Sequence, residues 1–227
     1  MNENASKLVA ELMVKATKKA GLLLGPGFLN LVGHHASALM AKKIGDNPPD
    51  GLDLDQSLDY VCKNLSKFVA GCSVYVYAVA KAESTLQGAT GSITRMVAKT
   101  GSISYFDTVL KNKIPAHADN TADGLNKYYY SLVKSGLMKQ EDLRIVSATE
   151  DCVRYKVNNC PYAEGCKPLL EEGVPKILGG HECWRSLFFA TAIESLTEKP
   201  HDYKDLEINP PNCSATIFCI EKLSKED

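Results

Sequence analysis

Six of the eight cysteines fall between positions 152 and 219, within less than a third of the chain. Two of them bound the segment Cys160-Pro161-Tyr162-Ala163-Glu164-Gly165-Cys166, and His181-Glu182-Cys183-Trp184 follows it. Thiolates and imidazoles at such element ends can converge on a tetrahedral zinc, with sulfur at about 2.3 Å from the metal. A thiol at a helix start is also favoured as the thiolate, the form that binds metal. One zinc-like ion is therefore expected on Cys160, Cys166 and Cys183, with Cys219 or His181 as the fourth ligand. The spacing matches no standard zinc finger, and an iron or iron–sulfur site with redox chemistry is the alternative.

Cys213 and Cys219 are six residues apart on an expected strand, which at about 3.3 Å per residue separates them by roughly 20 Å. Two sulfurs on one tetrahedral ion lie only about 4 Å apart. The residues between them, Ser214 to Phe218, offer no turn. Only one of the two can join the site, and Cys219, inside the strand rather than beside the Pro-Pro turn, is the expected one. Cys62 and Cys72 fit apolar faces of their elements and read as small buried hydrophobes.

These residues must be positioned by helices, strands and turns. Residues 7–24 repeat Leu8, Leu12, Ala16 and Ala20 at helical spacing. Gly25-Pro26-Gly27 ends that helix, and a second runs from Phe28 to Ile44, closed by Gly45. A third carries Leu54, Leu58, Val61, Cys62, Leu65 and Phe68 on one face, opened by a capping box of Asp53 and Gln56. Cys72 to Ala80, rich in Val and Tyr, reads as a buried strand. Strands or a hairpin, then a short helix around Tyr105 to Lys111, are expected between Lys81 and Pro115. Asp123 to Ser135 is a helix stopped by Gly136. Leu143–Ser147 and Cys152–Val157 are strands, the second pointing Val153, Tyr155 and Val157 to one side. A largely buried helix spans His181 to Leu196, and two strands, Asp205–Ile208 and Ser214–Ile220, close the chain. The expectation is one α+β domain over residues 1–227: a helical part, 1–70, packed on an antiparallel sheet, and a cysteine-rich strand–helix–hairpin unit in the last third of 71–227.

Composition narrows the classes. Hydrophobic residues make up 44% and charged residues 23%, ordinary values for a globular protein. A net charge of −1 gives no basic excess for nucleic acid. The stretch Gly21 to Ala41 lacks Asp, Glu, Lys and Arg, but Gly25-Pro26-Gly27 and His34-His35 argue against a membrane span. The adjacent histidines point about 100° apart on a helix and so rarely share one ion. Met1 to Ser6 shows no export signal, so thiols in a cytoplasmic protein are expected rather than disulfides. Gly88-Ala89-Thr90-Gly91-Ser92 lacks the Gly-Lys-Ser/Thr of a phosphate loop and reads as a turn. No G-x-S-x-G elbow is present to support hydrolase chemistry.

The order of a strand into Cys160-Pro161-Tyr162, a helix opening with Cys183-Trp184, and a last strand ending Phe218-Cys219-Ile220 resembles the vinyl-reductase-like, hydrocarbon-binding domains, whose fold is related to transport-protein-particle subunits of vesicle tethering. The resemblance implies a binding or sensor module for small hydrophobic molecules rather than an enzyme, with a structural zinc on Cys160, Cys183 and Cys219. The family's last hairpin carries a Gly-Asp turn, which Glu207 to Cys213 here lacks. This sets Glu207 and Cys213 aside as ligands and leaves Cys166 as an addition. A ligand-free assembly subunit is a further reading.

The aromatic residues of the His181–Leu196 helix exceed what packing on a sheet requires. A closed apolar pocket is expected there, lined by Trp184 and Phe188 with Tyr75 or Tyr77. The apolar surface of the first three helices, and the dimers formed by related folds, point to a homodimer burying the second helix near Leu31, Ala38 and Leu39.

Overall fold

The computed structural model describes residues 3–65, 71–86, 92–110, 117–174 and 183–221. The chain forms two compact units, Met1–Gly101 with Pro161–Glu182, and Ser102–Cys160 with Cys183–Asp227. The class is α+β, with helices through the N-terminal part and an antiparallel sheet in the C-terminal part.

In the first unit, helix α1 (Glu3–Leu24) buries Val9, Leu12, Met13, Ala16 and Ala20 on one face. Gly25 turns the chain at a positive φ of 83° with an extended ψ, which a side chain would disfavour, and Pro26 opens helix α2 (Pro26–Ile44) with its φ already set for the first turn. Helix α3 (Leu54–Lys63) starts at the expected box: Asp53 Oδ1 accepts from Gln56 N at 2.8 Å, and Gln56 Oε1 accepts from Asp53 N at 3.0 Å. Leu54 and Val61 are buried, while Leu58, Cys62 and Leu65 are half-buried, and Phe68 lies outside the described residues.

The expected strand Cys72–Ala80 is instead part of helix α4 (Gly71–Thr85), which packs against α1, α2 and helix α7 (Ala163–Glu171). Every residue from Gly71 to Val79 is buried. A helix enclosed on all sides carries Val and Tyr as readily as a central strand does, so its composition does not separate the two. The strands expected after Lys81 are likewise helices: the end of α4, then helix α5 (Ser92–Tyr105), which runs into a π-helical turn at Phe106–Leu110. Glu83 replaces the expected turn chemistry at the start of α5. Its fully buried carboxylate accepts from Ile93 N at 3.1 Å and Thr94 N at 2.9 Å, and from the Thr94 hydroxyl. Gly88 to Gly91 lie outside the described residues.

In the second unit, four strands form an antiparallel sheet of order β1-β2-β4-β3: β1 (Leu143–Ala148), β2 (Cys152–Val157), β3 (His201–Asn209) and β4 (Asn212–Cys219). Val153, Tyr155 and Val157 are buried as their alternation requires. Helices α6 (Thr121–Lys134) and α8 (Trp184–Thr197) are the ones packed on this sheet. Phe189 of α8 meets Tyr155 of β2 at 5.1 Å and Tyr128 of α6 at 5.9 Å, both edge-on, a geometry that adds to simple area burial. Among the described residues, no helix is long and apolar enough to cross a membrane.

Candidate functional site

All eight cysteines are free thiols. Three of them meet in the second unit: the Cys213 side chain hydrogen-bonds both Cys160 and Cys183. Each thiol is delivered by a different element. After β2, Asn158 N donates to Asp142 O at 2.7 Å, Asn159 adopts φ 51°, and Cys160 N donates to Pro211 O at 2.8 Å, fixing Cys160 beside the β3–β4 turn. Cys183 is the N-cap of α8, and its backbone N–H donates to the Tyr203 hydroxyl at 3.0 Å. Cys213 stands near the start of β4, opposite Val157 on one side and Ile208 on the other.

The three thiols are not equivalent. Hydrogen bonding to Cys160 and then to Cys183, together with burial, pushes the Cys213 thiol far above its ordinary value, so it keeps its proton. The hydrogen bond from Cys213 holds Cys183 below its ordinary value, with Ser186 assisting against the opposing effect of burial. Of the two, Cys183 is the thiol more readily ionised and Cys213 the one that holds its proton. Behind them, the Tyr155 and Ser186 hydroxyls lie 2.7 Å apart, and burial drives the Tyr155 phenol well up, so it stays neutral. A buried group of soft sulfurs with one depressed member is the donor chemistry that zinc takes. In the present arrangement Cys213 hydrogen-bonds the other two thiols. Among the described residues, no group of three or more His, Cys, Asp or Glu has the geometry of a metal site.

Of the expected metal ligands, Cys160 and Cys183 both hydrogen-bond Cys213 of β4, and Cys219 is not among these partners. Cys219 lies at the other end of β4, in register with His201 of β3. Cys213 and Cys219 lie at opposite ends of β4, so only one of them can stand beside Cys160. Sheet register decides it, because pairing β4 with β2 sets Cys213 opposite Val157, next to the turn that carries Cys160. Cys166 belongs to the first unit, half-buried on α7, where its N–H donates to Tyr162 O at 3.0 Å. His181 lies outside the described residues.

The aromatic residues expected around a pocket are also distributed differently. Trp184 and Phe188 are on α8, 1% and 6% exposed, with ring centres 6.2 Å apart. Tyr75 and Tyr77 sit on helix α4 of the first unit, not on a strand. Two positions apart on a helix, they point to different sides. Tyr75 Oη lies 3.3 Å from Ser57 Oγ, whereas Tyr77 donates to Glu172. Leu39, expected at a dimer contact, is buried with Tyr77, Leu169 and Val174.

A cavity of about 90 Å³ lies at the Cys219 end of the sheet, walled by Asn120, Glu150, Asp151, Lys199, His201 and Cys219. Its lining mixes polar and apolar surface, and its volume is far below the roughly 300 Å³ that a drug-sized apolar ligand requires. His201 is engaged there: its Nδ1 faces Lys199 O at 2.8 Å and its Nε2 faces Thr121 Oγ1 at 3.1 Å. Nδ1 therefore carries the proton, and burial lowers the imidazole's pKa and keeps it neutral.

No protein-family model matches this chain, and no curated protein or solved structure is significantly similar to it.

Proposed function

We propose that this protein is a non-enzymatic binding or sensor module of the vinyl-reductase-like kind, in which Cys160, Cys183 and Cys213 hold one structural zinc. The observation that carries the metal reading is that Cys213 hydrogen-bonds both Cys160 and Cys183, thiols from three separate elements. Zinc would replace those hydrogen bonds by thiolate ligation and release the thiol protons. A reducing compartment such as the cytoplasm keeps such a group available.

Metal analysis of protein purified without oxygen tests this directly. One zinc per chain is expected, lost in Cys183→Ser and Cys213→Ser and kept in Cys219→Ser. Colourless protein agrees with zinc, whereas visible absorption would mark an iron–sulfur cluster. Metal-free protein with all three thiols reactive under denaturation sinks the proposal.

The apolar ligand is proposed for the surroundings of α8, which Trp184, the sole tryptophan, reports by its fluorescence. Aromatic and isoprenoid-like compounds are expected to change that signal saturably, and a flat response across the panel rejects the ligand. A homodimer is proposed through the half-buried Leu31 and Ala38 of α2. Light scattering at micromolar concentration decides it.

A further inference from the structure

Leu22 and Leu23 are 86% and 78% exposed, the highest values for large apolar side chains among the described residues. They close α1, and Leu24, Pro26 and Gly27 continue an exposed bend into α2. The opposite face of α1 is fully engaged through Leu12, Met13, Ala16 and Ala20. At 100° per residue, Lys15, Lys18, Lys19, Leu22 and Leu23 stand at i, i+3, i+4, i+7 and i+8, one exposed stripe down the helix. It is basic for one turn and then leucine at the tip. Nothing inside the unit explains this pattern, since three leucines at a bend cost solubility and stabilise no core.

Charge around the tip is one-sided. From Leu12 to Gly45 there is no Asp or Glu, although the whole chain carries a net charge of −1. Asp55 reaches in to pair with Lys18 at 2.6 Å. Lys15 and Lys19 pair with no carboxylate among the described residues. An exposed apolar tip with lysines beside it matches a bilayer interface, where leucine enters the acyl boundary and lysine meets lipid phosphate. The dimensions agree. Lys19 and Leu24 are five positions apart, a rise of about 7.5 Å along the helix, and interfacial segments bury to about 5–10 Å. A second copy of this chain on the tip would bring like-charged lysines together, which disfavours it as the occupant.

We propose that the α1–α2 bend docks this protein onto an anionic lipid surface, with Leu22, Leu23 and Leu24 entering the headgroup–acyl boundary and Lys15 and Lys19 against the phosphates. This is surface attachment, not a span, and it does not depend on the thiol group.

Co-sedimentation of the intact protein with phosphatidylcholine vesicles, with and without phosphatidylserine, tests it. Binding is expected with phosphatidylserine, weakening as salt rises. Leu22→Ser with Leu23→Ser should lower partitioning at least tenfold. Lys15→Ala and Lys19→Ala should lower it about fivefold each. All four side chains are exposed, and an unchanged thermal melt confirms that the variants fold. Wild-type protein that ignores phosphatidylserine vesicles overturns the proposal, as does a double leucine variant that sediments like wild type. A leucine variant that turns a dimer into a monomer in light scattering, with vesicle binding unaltered, overturns it too and makes the tip a protein interface.

Discussion

Tyr77 of α4 donates its phenol hydrogen to Glu172, the residue that caps α7, at 3.0 Å. Lys81, one turn further along α4, donates to the same carboxylate at 2.6 Å. Burial alone would raise the Glu172 pKa, but hydrogen bonds from Lys81 and Tyr77 outweigh it and hold the group below its ordinary value. Removing the phenol hydroxyl in Tyr77→Phe should cost about 1–2 kcal/mol, as expected for a hydrogen bond to a charged group in a half-buried place. Urea denaturation measures it. An unchanged midpoint would mean that Lys81 alone satisfies Glu172.

The same corner predicts a pH dependence. His35 buries its Nε2 without a hydrogen-bond partner among the described residues. Burial, then the neighbouring His34 and Lys81, lower its pKa from 6.5 to about 4. The unfolded chain therefore binds this proton more readily than the folded one. Its contribution is full above pH 6.5 and is lost as pH falls toward 4. Glu172, with its own lowered value, steepens the lower end of the decline. Stability followed by denaturation across this range should drop by about 1–2 kcal/mol, the full shift being reduced by solvent screening of the half-buried ring, and His35→Gln should flatten the upper part of the slope. A slope identical in the variant would assign the loss to other groups.

Much of this fold was readable from local chemistry. Asp53 and Gln56 announced α3 through side chains that serve their own backbone, and Val153, Tyr155 and Val157 announced β2 because one face of the strand is buried and the other is not. Helix α4 was misread for the opposite reason: with Gly71 to Val79 all buried, no polar face remains to reveal its period. The candidate site was half legible. Cys160 and Cys183 stood out by position, whereas Cys213 is recruited by the pairing of β2 with β4, a long-range register that neighbouring residues do not encode.

Glu83 is expected to be among the residues least tolerant of change. Its buried carboxylate satisfies two backbone N–H groups at the start of α5, where the helix dipole also favours a negative charge. Glu83→Ala leaves those donors buried and unpaired and should cost about 3 kcal/mol or more. Chemical denaturation measures the loss. A cost under about 1 kcal/mol would show that water replaces the carboxylate.

Two glycines should respond in opposite directions. A Cβ at Gly165 of α7 would overlap the Ser73 carbonyl oxygen of α4, an atom that cannot move without breaking the helix. Gly165→Ala should therefore lose about 1–3 kcal/mol or more. At Gly27, in the first turn of α2, a Cβ meets nothing within 4 Å. Gly27→Ala should gain about 0.5–1 kcal/mol from the lower entropy of the unfolded chain. Melting both variants side by side checks the pair.

The close seat of Gly165 on α4 has a consequence for how the protein is made. A ribosome releases α1 to α4 first, then the strands β1 and β2, and only afterwards the segment Pro161–Glu182 that completes the first unit. Until α7 emerges, the α4 surface around Ser73 and Tyr77 is bare, apolar and open to the wrong contacts. The nascent chain must carry that exposed seam through the synthesis of the whole intervening stretch. Truncated products ending before Pro161 should therefore be ready clients of chaperones and proteases.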